Sequence, residues 1–355
     1  MDYVHIKGFK SIRDAKVELQ PINIFIGANG AGKSNFLSFF EFLGRVYNQS
    51  LTEYVALNGG VSKILHNGFV ESEEISMHIS FAKKKNEYSF KLKKSDLGFI
   101  FTNEVLWYED EGLDIANFKP ESQIKSKTWS DSFFRGKYIK ADLNGLKKYH
   151  FHDTGKKSPF TNMSHVVNDS FYLYERGENL AAFLFKTQTE HPKIYIRIIK
   201  TIQSIAPYFS DFFFQPNSEG YLGLLWQDKF SSAIYGAGDL SDGTMRFIAL
   251  TTLFLQPNLP KSIIIDEPEL GLHPLAVGKL AGMIQSVAAQ DTQVILATQS
   301  ADLINHFEAQ DIITVNQVNG ESSFNRLEPE KLKLWLDEYS VGDLWQRSVI
   351  PGGQP

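Results

Sequence analysis

The chain has 355 residues, enough for about two to three domains, and its 43% hydrophobic and 22% charged content is that of an ordinary globular protein. A formal net charge of −5 gives the whole molecule no bulk attraction for nucleic acid or an anionic membrane. The absence of cysteine excludes disulfides, thiolate metal sites and cysteine nucleophiles, and it fits a cytoplasmic setting.

The N-terminus, Met1-Asp2-Tyr3-Val4-His5, has neither the basic start nor the apolar core of a leader. No stretch approaches the roughly 18 apolar residues of a membrane span, so no membrane association is expected. Ile22 to Ile26 reads as a short buried strand. It runs into Gly27-Ala28-Asn29-Gly30-Ala31-Gly32-Lys33-Ser34. A helix is predicted from Ser34 to Leu43, with Phe36, Phe39, Phe40 and Leu43 on one face. Strand, glycine loop and helix together form the context of a phosphate-binding loop. Its glycines let successive N–H groups point inward, and the helix start adds further donors. In such a loop Asn29, Gly30, Ala31, Gly32, Lys33, Ser34 and Asn35 are the nucleotide contacts. Lys33 reaches the β- and γ-phosphates, and the Ser34 hydroxyl is a Mg²⁺ ligand. The cofactors expected are therefore ATP and Mg²⁺.

Residues 73–108 alternate in the manner of antiparallel strands, with Lys83-Lys84-Lys85-Asn86 as a hairpin tip. Residues 119–165 differ in character. They hold ten Lys or Arg against four acids, interleaved with Trp129, Phe133, Phe134, Tyr138, Tyr149 and Phe151. Basic and aromatic residues together are a candidate nucleic-acid contact. An acidic protein partner would use the same charge, and a solvated surface with a few core aromatics is the plainer reading. Residues 178–209 read as helices with Leu180, Phe183 and Leu184, then Ile194, Ile198, Ile199, Ile202 and Ile205, on apolar faces. No long heptad run occurs.

Leu240-Ser241-Asp242-Gly243 is, taken alone, a helix cap. Ser262 to Ile265 is an apolar run ending in Asp266-Glu267, the pattern of a buried parallel strand with carboxylates at its carboxyl end. Asp266 is the candidate Mg²⁺ carboxylate. Glu267 is the candidate that orients or deprotonates an attacking water. A helix from Leu275 to Val287, strands at Val294–Ala297 and Asp311–Val315, and a C-terminal helical pattern over 330–347 follow.

In this order the motifs resemble the ABC-type ATPase heads, particularly the SMC, RecF and OLD branch. Ile6-Lys7-Gly8-Phe9-Lys10-Ser11-Ile12 is similar to that branch's opening strand. The phosphate loop reads Gly-x-Asn-Gly-x-Gly-Lys-Ser-Asn. Leu240 to Arg246 resembles its signature motif, and Asp266-Glu267-Pro268-Glu269-Leu270-Gly271-Leu272-His273-Pro274 its Walker B and D-loop. Thr298-Gln299-Ser300 falls where its switch loop lies. The resemblance implies a homodimer with each ATP between one copy's phosphate loop and the other's signature, where Ser241, Asp242 and Gly243 act in trans. Assembly beyond a dimer is compatible with it. Many such heads carry a histidine where Gln299 stands. A glutamine hydrogen-bonds but carries no proton at neutral pH, which implies slow turnover. Lys10 and Arg13, and His273 on the D-loop, are further candidates near the nucleotide. For His273 a helix-start role beside Pro274 is the alternative.

The expected fold class is α/β, a P-loop NTPase head of the ABC type. It would have a mixed and parallel core sheet, an antiparallel β lobe and a compact helical, basic insert. The expected division is a discontinuous head at 1–110 and 236–328, an insert at 111–235, and a C-terminal helix and tail at 329–355. No acidic TOPRIM nuclease pattern follows the head, as it does in OLD nucleases, so any nuclease is expected on a separate protein. The tail resembles those of compact bacterial ATPases encoded beside nuclease-like or toxin-like proteins in phage-defence loci. The resemblance implies a slow ATPase acting as sensor or regulator of a separate effector. A RecF-like repair ATPase binding DNA directly, and a weakly hydrolysing scaffold that sequesters a toxin, are the alternatives.

Overall fold

A computed structural model describes residues 1–68, 73–96, 98–109, 111–116, 118–127 and 136–350. The elements in chain order begin with β1 (Tyr3–Phe9), β2 (Ile12–Glu18), β3 (Ile22–Ile26), α1 (Lys33–Tyr47), α2 (Leu51–Leu57) and α3 (Val61–Ile64). Next come β4 (Glu74–Phe81), β5 (Asn86–Ser95), β6 (Gly98–Tyr108), β7 (Glu111–Asp114), α4 (Gly136–Asn144), β8 (Leu146–Tyr149) and β9 (Ser164–His165). Then follow α5 (Leu180–Glu190), α6 (Pro192–Gln203), β10 (Phe209–Phe213), β11 (Tyr221–Leu222), β12 (Leu225–Asp228), β13 (Ile234–Gly236) and α7 (Asp242–Leu255). The last are β14 (Ser262–Asp266), α8 (Pro274–Ala288), β15 (Gln293–Thr298), α9 (Ala301–Ile304), β16 (Ile312–Val318), β17 (Glu321–Arg326), α10 (Pro329–Leu336) and α11 (Val341–Gln346).

The chain forms two compact units. The first comprises Met1–Lys147, Lys261–Ile264 and Gln293–Pro355, and the second Lys148–Pro260 and Ile265–Thr292. The first unit holds an antiparallel sheet in the order β2-β1-β4-β5-β6-β7. Its second sheet is mixed, in the order β17-β16-β3-β15-β14-β8. Here β3 lies parallel to both β15 and β16, and β17 returns antiparallel to β16. Strands β8 and β14 carry the chain from the first unit into the second. This is the expected α/β class, with a parallel core and an antiparallel lobe.

The apolar runs explain the layers. Strand β3 is buried over Asn23–Ile26 because helices and strands cover it, so it reads as a continuous run rather than an alternation. Asn23, the polar exception, is fully buried and satisfied: its amide donates to the Gln20 carbonyl at 2.6 Å and its oxygen accepts from Arg326 at 2.6 Å. Helix α1 packs a phenylalanine face on the first unit's core. Phe36 stacks on Phe25 at 4.5 Å, and Phe39 meets Phe9 edge-on at 5.4 Å.

The opening strand expected at 6–12 is present as the second half of β1, and its last residues turn into a hairpin. Strand β1 ends at Phe9, Lys10 adopts φ 50°, and β2 pairs back antiparallel from Ile12. The lysine tip expected at 83–86 joins β4 to β5, with Lys83 and Lys84 in left-handed backbone.

In the second unit, α7 packs on both α6 and α8. Two small antiparallel sheets, β10-β12-β13 and β11-β9, complete it.

Within the basic, aromatic segment, the described rings divide between core and surface. Tyr149, the last residue of β8, and Phe151, two residues beyond it, are core residues, each 3% exposed. Tyr138 is half-exposed. Trp129, Phe133, Phe134 and Arg135 lie outside the described residues.

Candidate functional site

In the first unit, β3 ends at Ile26 and the glycine loop begins. Its shape depends on close packing. Gly32 has φ 111°, and a β-carbon there would collide with the Ser322 hydroxyl. Gly30, at φ 81°, also requires left-handed backbone. A β-carbon on Gly27 would strike the Val315 carbonyl of β16. Lys33 is 5% exposed, and its Nζ donates to the carbonyls of Gly27 at 2.6 Å and Ala28 at 3.0 Å. The loop therefore wraps its own ammonium. Asn29, Gly30 and Ser34 stand exposed on its outer side, while Ala31 is buried.

Helix α1 starts at Lys33, so the loop delivers the chain to a 15-residue helix whose first N–H groups have no intrahelical partner. Anions are stabilised at such a position by those donors and by the helix dipole. Asn35 turns its side chain away, donating to Ser11 Oγ at 2.8 Å, so its backbone N–H is the part left for a phosphate.

A hydroxyl network, absent from the sequence reading, supports the loop from behind. Ser322 on β17 is 7% exposed and donates to the Ala31 carbonyl at 2.7 Å. It also lies 2.8 Å from Ser11 Oγ, and its N–H donates to the Ser11 carbonyl at 2.8 Å. Lys10 donates to Ser38 Oγ on α1 at 2.8 Å, and Arg13 pairs with Glu321 at 2.8 Å. The β1–β2 turn thus fastens both α1 and β17. Gln299 follows directly on β15, where Thr298 is level with Ile26 of β3. It therefore stands at the same edge of the sheet as the start of the phosphate loop.

The second unit carries the carboxylates and the signature. Strand β14 is buried up to Ile265 and ends on half-buried Asp266. Asp266 Oδ1 is a buried oxygen without a hydrogen-bond partner among the described residues. A buried carboxylate oxygen of this kind requires a donor or a cation. Mg²⁺ commonly takes one or two carboxylates plus substrate phosphates rather than an all-protein cage. No group of three His, Cys, Asp or Glu side chains among the described residues could hold a metal unaided. Asp266, with a hydroxyl ligand, fits Mg²⁺ of the nucleotide-borne kind.

Glu267 adopts φ 39°, uncommon for a residue with a β-carbon. A tight turn follows, with Leu270 N–H donating to the Glu267 carbonyl at 3.2 Å and Gly271 at φ 77°. His273 is exposed, and its Nδ1 accepts from the Leu275 N–H at 3.3 Å, capping α8. The helix-start reading of His273 is thus realised.

Ser241 caps α7. Its Oγ accepts from Thr244 N–H at 3.2 Å and lies 2.9 Å from Thr244 Oγ1, which in turn is 3.2 Å from the Tyr208 hydroxyl. Ser241 and Asp242 are exposed. Gly243 backs onto the carbonyl of Gly271, so the signature and the turn after the carboxylates touch through bare backbone. Arg246, 6% exposed, donates from Nε to the Phe151 carbonyl and from Nη2 to the His152 carbonyl, both at 3.1 Å. Burial lowers its pKa, opposed by the charges of Asp242 and Glu269. His150 and His152 face each other at 4.6 Å. Burial, then His152, Lys148 and Arg176, push the His150 pKa below 6.5, while the Asp266 charge opposes them. The His-Phe-His alternation of an extended segment was the one sequence signal for this pair.

Residues 22–305 match the family model described as "AAA domain, putative AbiEii toxin, Type IV TA system". The chain belongs to that family. It is also similar to the "Old nuclease" of Escherichia phage P2, at 23% identity over 88% of this chain and 58% of that protein. It thus spans little more than half the length of that relative. The RecF DNA replication and repair protein of Halothermothrix orenii is 23% identical over 42% of this chain and 38% of its own. Among solved structures, an Smc head bound to the C-winged helix domain of ScpA has a TM-score of 0.62 at 17% identity, over 94% of this chain and 99% of that one. The Smc head of Pyrococcus furiosus bound to the C-terminal domain of ScpA has a TM-score of 0.54 at 16% identity, over 95% and 98%. The chain is therefore an ABC-type ATPase head of the SMC, RecF and OLD kind. No helix among the described residues of this head is long and apolar enough to cross a membrane.

Proposed function

We propose that this head binds Mg²⁺ and ATP, hydrolyses the ATP slowly between two copies of itself, and uses that cycle to regulate a separate effector in bacterial antiviral defence. The observation that carries the ATPase reading is the glycine loop itself, with its left-handed Gly30 and Gly32 and its enclosed Lys33 opening α1. In this reading Lys33 exchanges its two loop carbonyls for β- and γ-phosphate oxygens. The N–H groups from Asn29 to Asn35 cradle the phosphates. Ser34 and Asp266 hold Mg²⁺, which when bound neutralises charge on the phosphates.

Glu267 orients the attacking water and takes its proton as the water oxygen bonds to the γ-phosphorus and the bond to ADP breaks. Gln299 donates to the water or to the γ-phosphate. Ser241, Asp242 and Gly243 act on the nucleotide held by the other copy. Their exposure at the start of α7 suits that task, because a group acting in trans must face outward. The head of this reading comprises 1–110 and 236–328, with 111–235 inserted and 329–355 appended.

The family's description names a toxin of a type IV toxin–antitoxin system, and Old nuclease is a phage protein. Both support a place in conflict between phage and host, in the cytoplasm. That solved Smc heads are bound to ScpA domains supports a second protein as the readout. Burial of Tyr149 and Phe151 removes two of the rings that a direct nucleic-acid reading of 119–165 would use.

The test is solution mass by light scattering on Glu267→Gln, with and without Mg-ATP, repeated with Ser241→Arg added. ATP should double the mass of the first protein and leave the second unchanged. A monomer under every condition would overturn the composite-site reading.

A further inference from the structure

Helix α6 carries Lys193, Arg197 and Lys200 at positions i, i+4 and i+7, a single stripe of helix surface. All three are exposed. Together with Lys279 of α8 they line a shallow, open groove of about 390 Å³. No acidic side chain lines the groove. Among the described residues none of these four cations takes part in an ion pair. Ile196 sits within the stripe with 51% of its surface exposed.

Two features set this groove apart from an ordinary solvated helix face. Such faces mix both signs of charge, whereas here four cations converge in a chain whose net charge is −5. An exposed branched apolar side chain also stands among them.

The pattern selects a class of ligand. Nucleic acid would use the cations for phosphates, but the lining offers no aromatic ring for a base and gives Ile196 nothing to do. A helical acidic peptide presents carboxylates at the same i, i+4 spacing as Lys193 and Arg197, and its apolar side chains occupy the positions between. We propose that the groove between α6 and α8 docks an acidic segment of a partner protein, with carboxylates on Lys193, Arg197, Lys200 and Lys279 and an apolar side chain on Ile196. None of these residues belongs to the nucleotide machinery, so the proposal stands apart from the ATPase reading.

The probe is a fluorescent peptide built from glutamate and leucine, measured by anisotropy against the full chain. Its controls are the same peptide with serine for leucine, and a short DNA duplex as competitor. The charge-reversed Lys193→Glu/Arg197→Glu/Lys200→Glu protein should bind the peptide about tenfold more weakly or worse, the order expected from several exposed charge pairs. Ile196→Ser and Lys279→Glu, single changes at exposed or half-exposed positions, should each weaken it. The serine peptide should bind more weakly than the leucine peptide. Equal binding by wild type and by Lys279→Glu would overturn the proposal. So would indifference to Ile196→Ser together with displacement by the duplex, which would mark a polyanion site instead.

Discussion

The carbonyl oxygen of Gly271 lies 2.5 Å from the point that a β-carbon on Gly243 would occupy. The signature and the turn after the carboxylates are therefore locked by the absence of a side chain. Gly243→Ala forces that turn, or the start of α7, to move. Overpacking of this kind costs about 1–3 kcal/mol. The expected outcome is a lower melting temperature and loss of ATP turnover, with nucleotide affinity at the phosphate loop retained. Calorimetry and titration with a fluorescent ATP analogue separate the two effects. Unchanged turnover in a folded Gly243→Ala protein would show that the contact carries no function.

Ser322 holds the phosphate loop through the Ala31 carbonyl and the Ser11 hydroxyl. Ser322→Ala removes both bonds at a buried site, at a net cost of about 1 kcal/mol for each bond lost. ATP affinity should fall several-fold while the fold survives. Gly32→Ala should be far worse. It adds a β-carbon against the Ser322 hydroxyl and places alanine at φ 111°, a region suited to glycine. Combining the two changes should recover only part of the loss, because the backbone strain and the close approach to the Ser322 β-carbon and the Ser11 hydroxyl remain. Full recovery would mean that the Ser322 hydroxyl alone makes glycine necessary.

Much of this was legible along the chain because the rules involved are local. The apolar run of β3, the glycines after it and the phenylalanine spacing of α1 sit within some twenty-five residues, and each obeys a short-range rule. The support behind the loop was not legible. Ser322 bonds to Ala31 across 291 residues, and nothing in Glu321-Ser322-Ser323 marks one hydroxyl as buried. The hairpin at Lys10 was hidden for another reason, since a lysine in left-handed backbone carries no sequence signal as a glycine does. Which rings of 119–165 are the core aromatics of the plainer reading was not legible either, because composition cannot tell a buried ring from an exposed one; Tyr149 and Phe151 are two that are buried.

Glu267 holds φ 39° although it is not glycine. Non-glycine residues in such backbone cost about 1 kcal/mol or more, and the cost persists where function maintains it. Replacing the side chain therefore has two separable consequences. Glu267→Ala and Glu267→Gly should both abolish hydrolysis, since both remove the carboxylate. Their stabilities should differ: Glu267→Gly avoids the β-carbon strain and should exceed Glu267→Ala by about 0.5–1 kcal/mol, even though glycine is ordinarily the less stabilising residue. Chemical denaturation of the two proteins decides it. The reverse order would show that the turn relaxes once the glutamate is gone.

Glu104 is fully buried on β6, where it accepts hydrogen bonds from Tyr88 at 2.8 Å, from the Gln123 N–H at 3.1 Å and from Ser122. Burial raises its pKa above the ordinary 4.5, because those bonds only partly offset the loss of water around the charge. The native state therefore favours the protonated form. Its contribution to stability is fully present below pH 4.5 and is lost as the pH rises through the raised native value. Glu104→Gln keeps the shape and an acceptor oxygen but cannot titrate. The difference in unfolding free energy, variant minus wild type, should therefore grow in the variant's favour as the pH rises from 4.5 through that native value, whatever its sign at low pH. Urea titrations of both proteins at a series of pH values measure it. A difference that stays constant across the series would mean that the Glu104 charge is as well accommodated in the native core as it is in water.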